Sequence, residues 1–331
     1  MKNILLVKES NANETRIALL PQDIHILVTK GLNIYVESGA GNGVNIDDSD
    51  FKKAGATIRE SKLQTLFENI DIIVRAKRAN SDRELEELTY ICPGTIIIGT
   101  LDPKEKDSNH LVKYKKAGLK AFSLDYLETE KGDPLNLLEK MSKLTGELAL
   151  EDAITKSNKI NKIVIIGYGI AGKSAYTKAQ QLGYDITVFC TQKVDALAIK
   201  QDNNKAFLLD KSLDKLENNQ RTILVEIMDA DIVITSARSK LGAPLFITQE
   251  MLQQLKDIII VDLAISDGGN VEGSKHDRDR VLENGVIISN VSGYPKKKPL
   301  ISSQLWSESS RLFLEKLIMG KTPIIASARV V

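Results

Sequence analysis

The chain has 331 residues, and its 45 lysines and arginines nearly balance its 44 aspartates and glutamates. This length suits two domains, and the balanced charge produces no overall field that would attract nucleic acid or a membrane surface. No run approaches the roughly 20 apolar residues of a membrane-spanning helix, and the first residues lack the apolar stretch of a signal peptide. Cys92 and Cys190 stand apart from each other and from any histidine at metal-ligand spacing. We therefore expect a cytoplasmic protein that binds no metal, nucleic acid or membrane.

In the first half of the chain, short apolar runs alternate with helical patterns. Strands are predicted at residues 4–7, 33–37, 71–75, 94–99 and 119–124, and helices at residues 21–30 and 110–116. Pro21 suits the first turn of a helix, and Gly31 suits the end of one. The glycine-rich loop over residues 38–43 could bind a phosphate group, but no apolar helix follows it, so a plain connection is favoured. His25 and His110 lie in helical surroundings and are interpreted as surface or packing residues.

A glycine-rich turn marks the second half of the chain. The apolar, β-branched residues 163–166 predict a buried strand, which is followed by Gly167, Gly169 and Gly172. A helical pattern then continues through residue 181, and Gly183 suits the end of that helix. A second strand is predicted directly afterwards, at residues 185–190. A strand, a glycine turn, a helix and a strand within thirty residues form the βαβ unit that binds dinucleotides. The alternative interpretation is a tight turn in another kind of α/β protein.

Each of these glycines has a physical role in that unit. Gly167 allows the tight turn out of the strand, and Gly169 lets the backbone approach a pyrophosphate group. Gly172 lets the helix pack closely on the sheet, while the helix N-terminus offers N–H groups and a positive dipole to the phosphates.

The remaining elements continue the alternation that is typical of parallel sheets. Helices are predicted at residues 135–156, 224–228, 248–255 and 300–319, and strands at residues 231–235, 258–262 and 286–288. The stretch after residue 190 is interpreted as polar, with no element predicted before residue 224, and His276 is interpreted as solvated. The basic residues 296–298 are interpreted as a solvated loop, with a phosphate contact as the alternative.

The end of the second strand bears on which dinucleotide binds. Proteins that prefer NAD place an acidic residue there, whose carboxylate binds the ribose hydroxyls, but this chain has Cys190. Cys190 thus removes the negative charge that would repel a 2′-phosphate at this position, and Thr191 and Lys193 could contact such a phosphate. We therefore expect NADP(H) to bind at least as tightly as NAD(H). In the alternative, Cys190 is a buried strand residue and neither cofactor is strongly preferred.

Several motifs, in the correct order, resemble those of the alanine dehydrogenase and pyridine nucleotide transhydrogenase α-subunit superfamily. They are Lys8-Glu9 with residues 14–21, residues 74–77, Met141-Ser142 with Gly146, residues 236–249, residues 261–273 and residues 294–306. The resemblance implies an α/β fold with two Rossmann-like domains, parallel sheets, an interdomain cleft, and a C-terminal helix that returns to the first domain. It implies a substrate domain over residues 1–128, an NAD(P)-binding domain over residues 129–298 and a returning segment over residues 299–331. A homo-oligomer, dimeric or larger, is expected.

The resemblance also implies roles for particular residues. Arg16 and Lys77 would bind the carboxylate and the carbonyl oxygen of an amino or keto acid, which suits a guanidinium fork and a lysine. The alternatives are a surface arginine that caps a turn and a solvated basic strand end. The expected cofactor-binding residues are Ser142, Gly167, Gly169, Ile170, Ala171, Gly172, Cys190, Thr191, Lys193, Ser236, Ala237 and Asn290.

Two departures from the family pattern concern proton transfer. In alanine dehydrogenases a histidine stands where this chain has Asp102, and an aspartate stands where it has Ser266, one residue before Asp267. Because an aspartate is ionised at neutral pH, Asp102 would be a poor proton shuttle there. The chain also lacks the arginine–glutamine–aspartate loop of transhydrogenases, which disfavours a proton-pumping enzyme. One branch of the superfamily forms secondary amines and has a compact length similar to that of this chain. It contains carboxyethyl-ornithine synthase and the saccharopine dehydrogenases.

Two functions follow as hypotheses. The first is an NAD(P)-dependent oxidoreductase acting on the C–N bond of an amino acid, by reductive amination of a keto acid or by opine-type secondary-amine formation. Its catalytic residues would be Arg16, Lys77, Asp102 and Asp267, and its partners an amino acid and a keto acid. The alternative is a non-catalytic or regulatory dinucleotide-binding paralogue, in which Asp102 forms a salt bridge with Lys77. Mutual pairing of these two side chains would favour the paralogue.

Overall fold

The structure is a computed structural model, and it describes residues 2–104, 109–157, 159–212, 215–239, 241–320 and 323–331. Lys240, within the motif over residues 236–249, lies outside these ranges. The chain divides into two compact units, Met1–Met141 with Pro295–Val331, and Ser142–Tyr294. Each unit holds one sheet flanked by helices. The predicted fold class, with two parallel-sheet α/β units and a C-terminal segment that returns to the first, is thus confirmed. The domain limits at residues 128 and 298 stay predictions.

The strands lie in two sheets, one in each unit. The strands are β1 Asn3–Leu6, β2 Asn33–Glu37, β3 Thr57–Arg59, β4 Ile72–Lys77, β5 Ile96–Thr100, β6 Lys120–Ser123, β7 Lys162–Ile166, β8 Asp185–Cys190, β9 Lys205–Leu208, β10 Ile232–Thr235, β11 Ile259–Asp262, β12 Arg280–Val281 and β13 Ile287–Ser289. The first sheet has the order β3-β2-β1-β4-β5-β6 with parallel pairs throughout. The second has the order β12-β13-β11-β10-β7-β8-β9, and only the pair of β12 with β13 is antiparallel among the described strands.

The helices connect these strands and cover the faces of the sheets. They are α1 Pro21–Thr29, α2 Asp48–Lys53, α3 Leu63–Leu66, α4 Ser81–Tyr90, α5 Asn109–Lys116, α6 Leu137–Lys156, α7 Ile170–Gln181, α8 Lys193–Gln201, α9 Leu216–Ile227, α10 Gln249–Gln254, α11 Pro299–Met319 and α12 Pro323–Ser327. Within the described ranges, none of these helices combines the length and apolar character that crossing a bilayer would require.

Both sheets have a switch point, where the strand order reverses. In the first sheet it lies between β1 and β4, and in the second between β7 and β10. Ligands of open α/β sheets bind beyond the carboxyl ends of the strands at such a point. The switch points therefore direct attention to the residues that follow β1 and β4 in one unit, and β7 and β10 in the other.

The first sheet is buried on both faces, as parallel sheets require. Along β1, Ile4 and Leu6 pack in one apolar cluster with Trp306 of α11, whereas Leu5 packs on the other face with Tyr114 of α5. All three β1 residues are completely buried. Helix α11 thus supplies part of the core of the first unit, although it comes from the end of the chain.

Buried serines of α11 hold the segment that leads into α1. The N–H groups of Ile17 and Leu20 donate to the hydroxyl oxygens of Ser303 and Ser307, at 3.0 and 2.7 Å. Ser307 in turn donates to a carboxylate oxygen of Asp23 at 2.5 Å. Because buried N–H groups need partners, these bonds fix the backbone directly after Arg16.

The polar stretch after residue 190, in which the sequence predicts no element before residue 224, has regular structure. It contains α8 and β9, and the helix predicted over residues 224–228 begins earlier, as α9 Leu216–Ile227. In α8 the buried residues are only Ala196 and Ile199. The apolar face of this helix is therefore too narrow to produce a clear helical period in the sequence. Helices of this kind are held by tertiary packing more than by their own pattern.

Candidate functional site

The predicted glycine turn joins β7 to α7 in the second unit. Gly167 has φ of 99°, in the left-handed region that side chains disfavour. A Cβ on Gly172 would lie 2.0 Å from the carbonyl oxygen of Gly167, so only glycine permits this approach of helix and strand. A Cβ on Gly169 would meet nothing within 4 Å. Gly169 therefore has a negligible packing role in the protein itself, and its open side faces space that a ligand can use.

A cavity of about 1000 Å³ lies against this turn. Of the predicted cofactor-binding residues, those that line it are Ser142, Gly167, Gly169, Ile170, Ala171, Thr191, Ser236 and Ala237. They come from the ends of β7, β8 and β10 and from the starts of α6 and α7. The first N–H groups of α7 have no acceptor within the helix, and they stand beside the open side of Gly169. These features fit the pyrophosphate of a dinucleotide.

Four predicted cofactor-binding residues lie outside the lining of this cavity. Gly172 is buried at the start of α7, and Lys193 is exposed at the start of α8. Cys190 is completely buried. Asn290 is buried too, and its side-chain amide donates to the carbonyl oxygen of Asp262 at 2.6 Å. The positions of Cys190 and Asn290 correspond to packing and loop-holding roles.

Two buried polar side chains hold the wall of the cavity that follows β10. The carboxylate of Asp262 accepts the N–H groups of Ala264, Asn270 and Val271, at 2.9 to 3.2 Å. The side chain of Asn270 then accepts from the N–H of Ala237 and donates to its carbonyl oxygen, both at 3.0 Å. Both backbone polar groups of Ala237, which lines the cavity, are therefore held by Asn270.

Charged residues that the sequence analysis did not single out also line the cavity. They include Asp195 in the first turn of α8 and Arg238 after β10. The carboxylate of Asp195 pairs with the ammonium of Lys173 at 2.7 Å. Tyr168, inside the glycine turn, lines the cavity and lies beneath the same ammonium, 4.9 Å from its ring centre. Tyr168 could have been chosen from its place in the motif, but Asp195 depends on α8, which was not predicted.

Asp267 lies after β11 in the second unit. Its carboxylate pairs with Nε of Arg238 at 3.0 Å, and both side chains are about half exposed. Its carbonyl oxygen accepts the N–H of Ala243 at 2.7 Å. Asp267 is thus held beside a cavity-lining arginine, and its predicted role toward a substrate amine stays a prediction.

In the first unit, Arg16 is paired with Glu14. The guanidinium donates from Nε and Nη2 to the two carboxylate oxygens at 2.6 and 2.5 Å. Only 7% of the Arg16 side chain and 2% of the Glu14 side chain are exposed, so Arg16 is not the surface arginine of the alternative interpretation. Burial opposes ionisation of Glu14, but the hydrogen bonds and charge of Arg16 outweigh it and lower the pKa of Glu14. Among the described residues, Arg16 donates from Nε and Nη2 but not from Nη1, so the Nη1 donors can serve a ligand.

We expect Glu14→Gln to destabilise the protein by about 3 kcal/mol, because a buried guanidinium would lose its anionic partner. Urea unfolding at pH 7 measures this change. Since the pKa of Glu14 is lowered on folding, the wild type should also lose stability as the pH falls below about 4.5, and the variant should lose less. The matched control is Asp50→Asn, which breaks the exposed pair with Lys53 and should leave stability unchanged. Equal effects of the two substitutions would contradict the buried-pair account.

Lys77 at the end of β4 forms an ion pair with Asp102, which follows the neighbouring strand β5. The ammonium lies 3.3 and 3.4 Å from the two carboxylate oxygens. The side chains are 32% and 44% exposed, so ligands can reach both. Asp102 has φ of 47°, an unusual conformation for a residue other than glycine. This mutual pairing is the arrangement that the paralogue hypothesis predicts.

His110 is close in sequence to Asp102 but has another role. It is buried, its Nδ1 accepts from the Arg78 guanidinium, and its Nε2 donates to the carbonyl oxygen of Leu101, both at 2.7 Å. The directions follow because arginine has no acceptor. Both ring nitrogens are engaged with the protein, which agrees with its interpretation as a packing residue.

Comparisons with known proteins agree over nearly the whole chain. The family described as alanine dehydrogenase/PNT matches with its N-terminal domain at residues 5–145 and its C-terminal domain at residues 145–330. PNT denotes pyridine nucleotide transhydrogenase. An NAD(P) transhydrogenase subunit alpha of Rickettsia prowazekii is 27% identical over 341 residues, covering 94% of this chain and 88% of that protein. An alanine dehydrogenase of Staphylococcus haemolyticus is 29% identical over 320 residues, covering 89% and 82%.

Solved structures show the same fold. The transhydrogenase from Sinorhizobium meliloti superposes with a TM-score of 0.88 at 23% identity, covering 100% of this chain and 98% of that one. Because the family match extends over both units, this chain belongs to the alanine dehydrogenase/PNT family.

Proposed function

We propose that the chain is an NAD(P)-dependent oxidoreductase that acts on the C–N bond of an amino acid. The observation that carries the proposal is the glycine turn, where Gly169 faces an open cavity. Among the described residues, its missing Cβ would meet no atom within 4 Å beyond those of Gly169 and its two chain neighbours. Family membership supports the same conclusion, since relatives named above are an alanine dehydrogenase and a transhydrogenase subunit. The nicotinamide, when bound, would supply or accept the hydride.

The chain's own residues would bind and orient the substrate. Arg16 would present its Nη1 donors to a carboxylate, while Glu14 holds the guanidinium plane from the other edge. Lys77 would donate to the carbonyl oxygen of a keto acid, for which it must exchange its contact with Asp102. Asp102 would then be released to meet a cationic amine. These roles extend the proposal to opine-type chemistry, in which the amine is itself an amino acid.

One observation favours the second candidate, a non-catalytic dinucleotide-binding paralogue. Lys77 and Asp102 satisfy each other's charge, which is the arrangement expected of a structural bridge. The bridge is partly exposed, however, and exposed ion pairs contribute only about 0–1 kcal/mol. A substrate can therefore displace it at small cost, and we retain the enzyme as the proposal.

A matrix of amines against keto acids tests the proposal. Ammonium and a set of amino acids would each be combined with pyruvate and other keto acids, and the loss of NADH or NADPH absorbance would be followed. The enzyme hypothesis predicts protein-dependent oxidation for at least one pair. Tight dinucleotide binding without turnover of any pair would support the paralogue.

The cofactor preference gives a separate prediction. Thr191 lines the cavity, whereas Cys190 is completely buried, so the test uses Thr191 and Lys193. We expect unmodified protein to bind NADP(H) at least as tightly as NAD(H), measured as a pair of dissociation constants. Thr191→Asp should shift the preference toward NAD(H), and Lys193→Ala should weaken only NADP(H), by about fivefold, as expected for an exposed ion pair. Tenfold tighter binding of NAD(H) by the unmodified protein would contradict the prediction.

A further inference from the structure

Strand β4 contains a bulge immediately before Lys77. Val74 is paired with Ile98 of β5, but Lys77 is paired with Thr100. Three steps along β4 therefore correspond to two along β5, so β4 carries one additional residue. A β-bulge leaves backbone groups without ladder partners and changes the direction of the following side chain.

Side chains from the two neighbouring strands satisfy the backbone of this bulge. The N–H groups of Ala76 and Lys77 donate to the two carboxylate oxygens of Glu9, at 2.6 and 3.0 Å. The carbonyl oxygen of Ala76 accepts from the hydroxyl of Thr100 at 2.6 Å. Glu9 follows β1, which lies on the other side of β4 from β5. The bulge is thus clamped from both sides.

The bulge in β4 requires a glycine at position 99 of the neighbouring strand β5. A Cβ on Gly99 would lie 2.7 Å from the carbonyl oxygen of Arg75, so a larger residue would force the bulge to move. The bulge, the glycine beside it and the carboxylate that caps it form one unit at the switch point of the first sheet.

Electrostatics make this clamp sensitive to protonation. Burial raises the pKa of Glu9 to about 7, against the hydrogen bonds from Ala76 and Lys77 and the charge of Arg75, while Glu14 adds to the increase. Arg75 is itself held by Glu87 at 2.6 Å. A carboxylate that accepts two N–H groups loses most of its acceptor strength when it is protonated.

We propose that Glu9 is the positioning residue for Lys77: its carboxylate holds the β4 bulge in the geometry from which the Lys77 ammonium reaches Asp102 or a substrate oxygen. This inference rests on the proposed function in one respect, namely that Lys77 contacts the substrate. The clamp itself follows from the bond pattern of the bulge.

Competitive acetylation tests this inference without cofactor or substrate. The folded protein would be treated with trace acetic anhydride at pH 5.5 to 8.5, and mass spectrometry would give the labelling of Lys77 relative to that of exposed Lys120. In the wild type, the ratio should rise at least about threefold as the pH falls through about 7, because the clamp weakens and Lys77 leaves its ion pair. In Glu9→Gln the ratio should be high at all these pH values.

Thr100→Val is the matched control, because it removes the other half of the clamp without removing a titratable group. It should raise the labelling ratio at all pH values, and the further rise of the ratio as the pH falls through about 7 should remain. A wild-type ratio without a step, or a step that persists in Glu9→Gln, would overturn the proposal. Because no turnover is measured, either outcome is distinct from a failure of the proposed enzyme activity. Thermal unfolding of each variant would confirm that it is folded before labelling.

Discussion

Gly169→Val is expected to weaken dinucleotide binding at least about 100-fold, while the melting temperature stays within about 2 °C of the wild type. Gly169 has φ of −76°, which a valine adopts without strain, and its Cβ would meet no protein atom within 4 Å. The added side chain would therefore occupy only the space beside the N-terminus of α7, where a pyrophosphate would lie. Titration calorimetry with NADH and NADPH, together with a thermal scan, measures both quantities.

Gly172→Ala is the control for this result. Its Cβ would lie 2.0 Å from the carbonyl oxygen of Gly167, so the helix and the strand would have to separate. This smaller substitution should lower the melting temperature clearly, in contrast to Gly169→Val. If Gly169→Val bound dinucleotide as tightly as the wild type, the cavity against the glycine turn would not be the cofactor site.

Lys77→Ala is expected to lower kcat/KM at least about 1,000-fold for whichever amino acid and keto acid the protein uses, with dinucleotide affinity unchanged. Lys77 is the partly exposed cation at the end of β4, and its loss removes the proposed donor to the substrate carbonyl. Stability should change little, because the pair with Asp102 is partly exposed and contributes about 0–1 kcal/mol. Steady-state kinetics, cofactor titration and urea unfolding give the three values.

Asp102→Asn distinguishes the enzyme hypothesis from the paralogue hypothesis. It keeps the size of the side chain but removes the charge that pairs with Lys77. In an enzyme that uses Lys77, this change should alter turnover and its pH profile. In a protein where the pair is only structural, Lys77→Ala and Asp102→Asn should each cost a similar small amount of stability and nothing else. Unchanged turnover in Lys77→Ala would show that Lys77 does not act on the substrate.

The glycine turn could be predicted from the sequence because its information is local. The strand at residues 185–190 was predicted with the bounds that β8 has, and the helix between was predicted to end at residue 181, as α7 does. Each part is coded by neighbouring residues, namely β-branched runs, glycines at fixed spacing and a helix stop. The contact of Lys77 with Asp102 is expected from the sequence only under the paralogue hypothesis, and the structure has this ion pair.

Other parts of the site depend on contacts that local patterns do not encode. The clamp of Glu9 on the β4 bulge requires the order of β1, β4 and β5 in the sheet. Glu14 and Arg16 are only two residues apart, but the backbone that follows them is held by serines of α11, nearly 300 residues later. Asp195 depends on α8, whose narrow apolar stripe gave no clear period.

Transfer of deuterium from the cofactor tests the central claim most directly. The protein would be incubated with NADH or NADPH carrying deuterium at C4 of the nicotinamide and with each pair of amine and keto acid, and the products would be analysed by mass spectrometry. The proposed function predicts deuterium on the carbon that forms the new C–N bond in at least one product, and its absence with Lys77→Ala. Tight cofactor binding without deuterium in any amine product would contradict it.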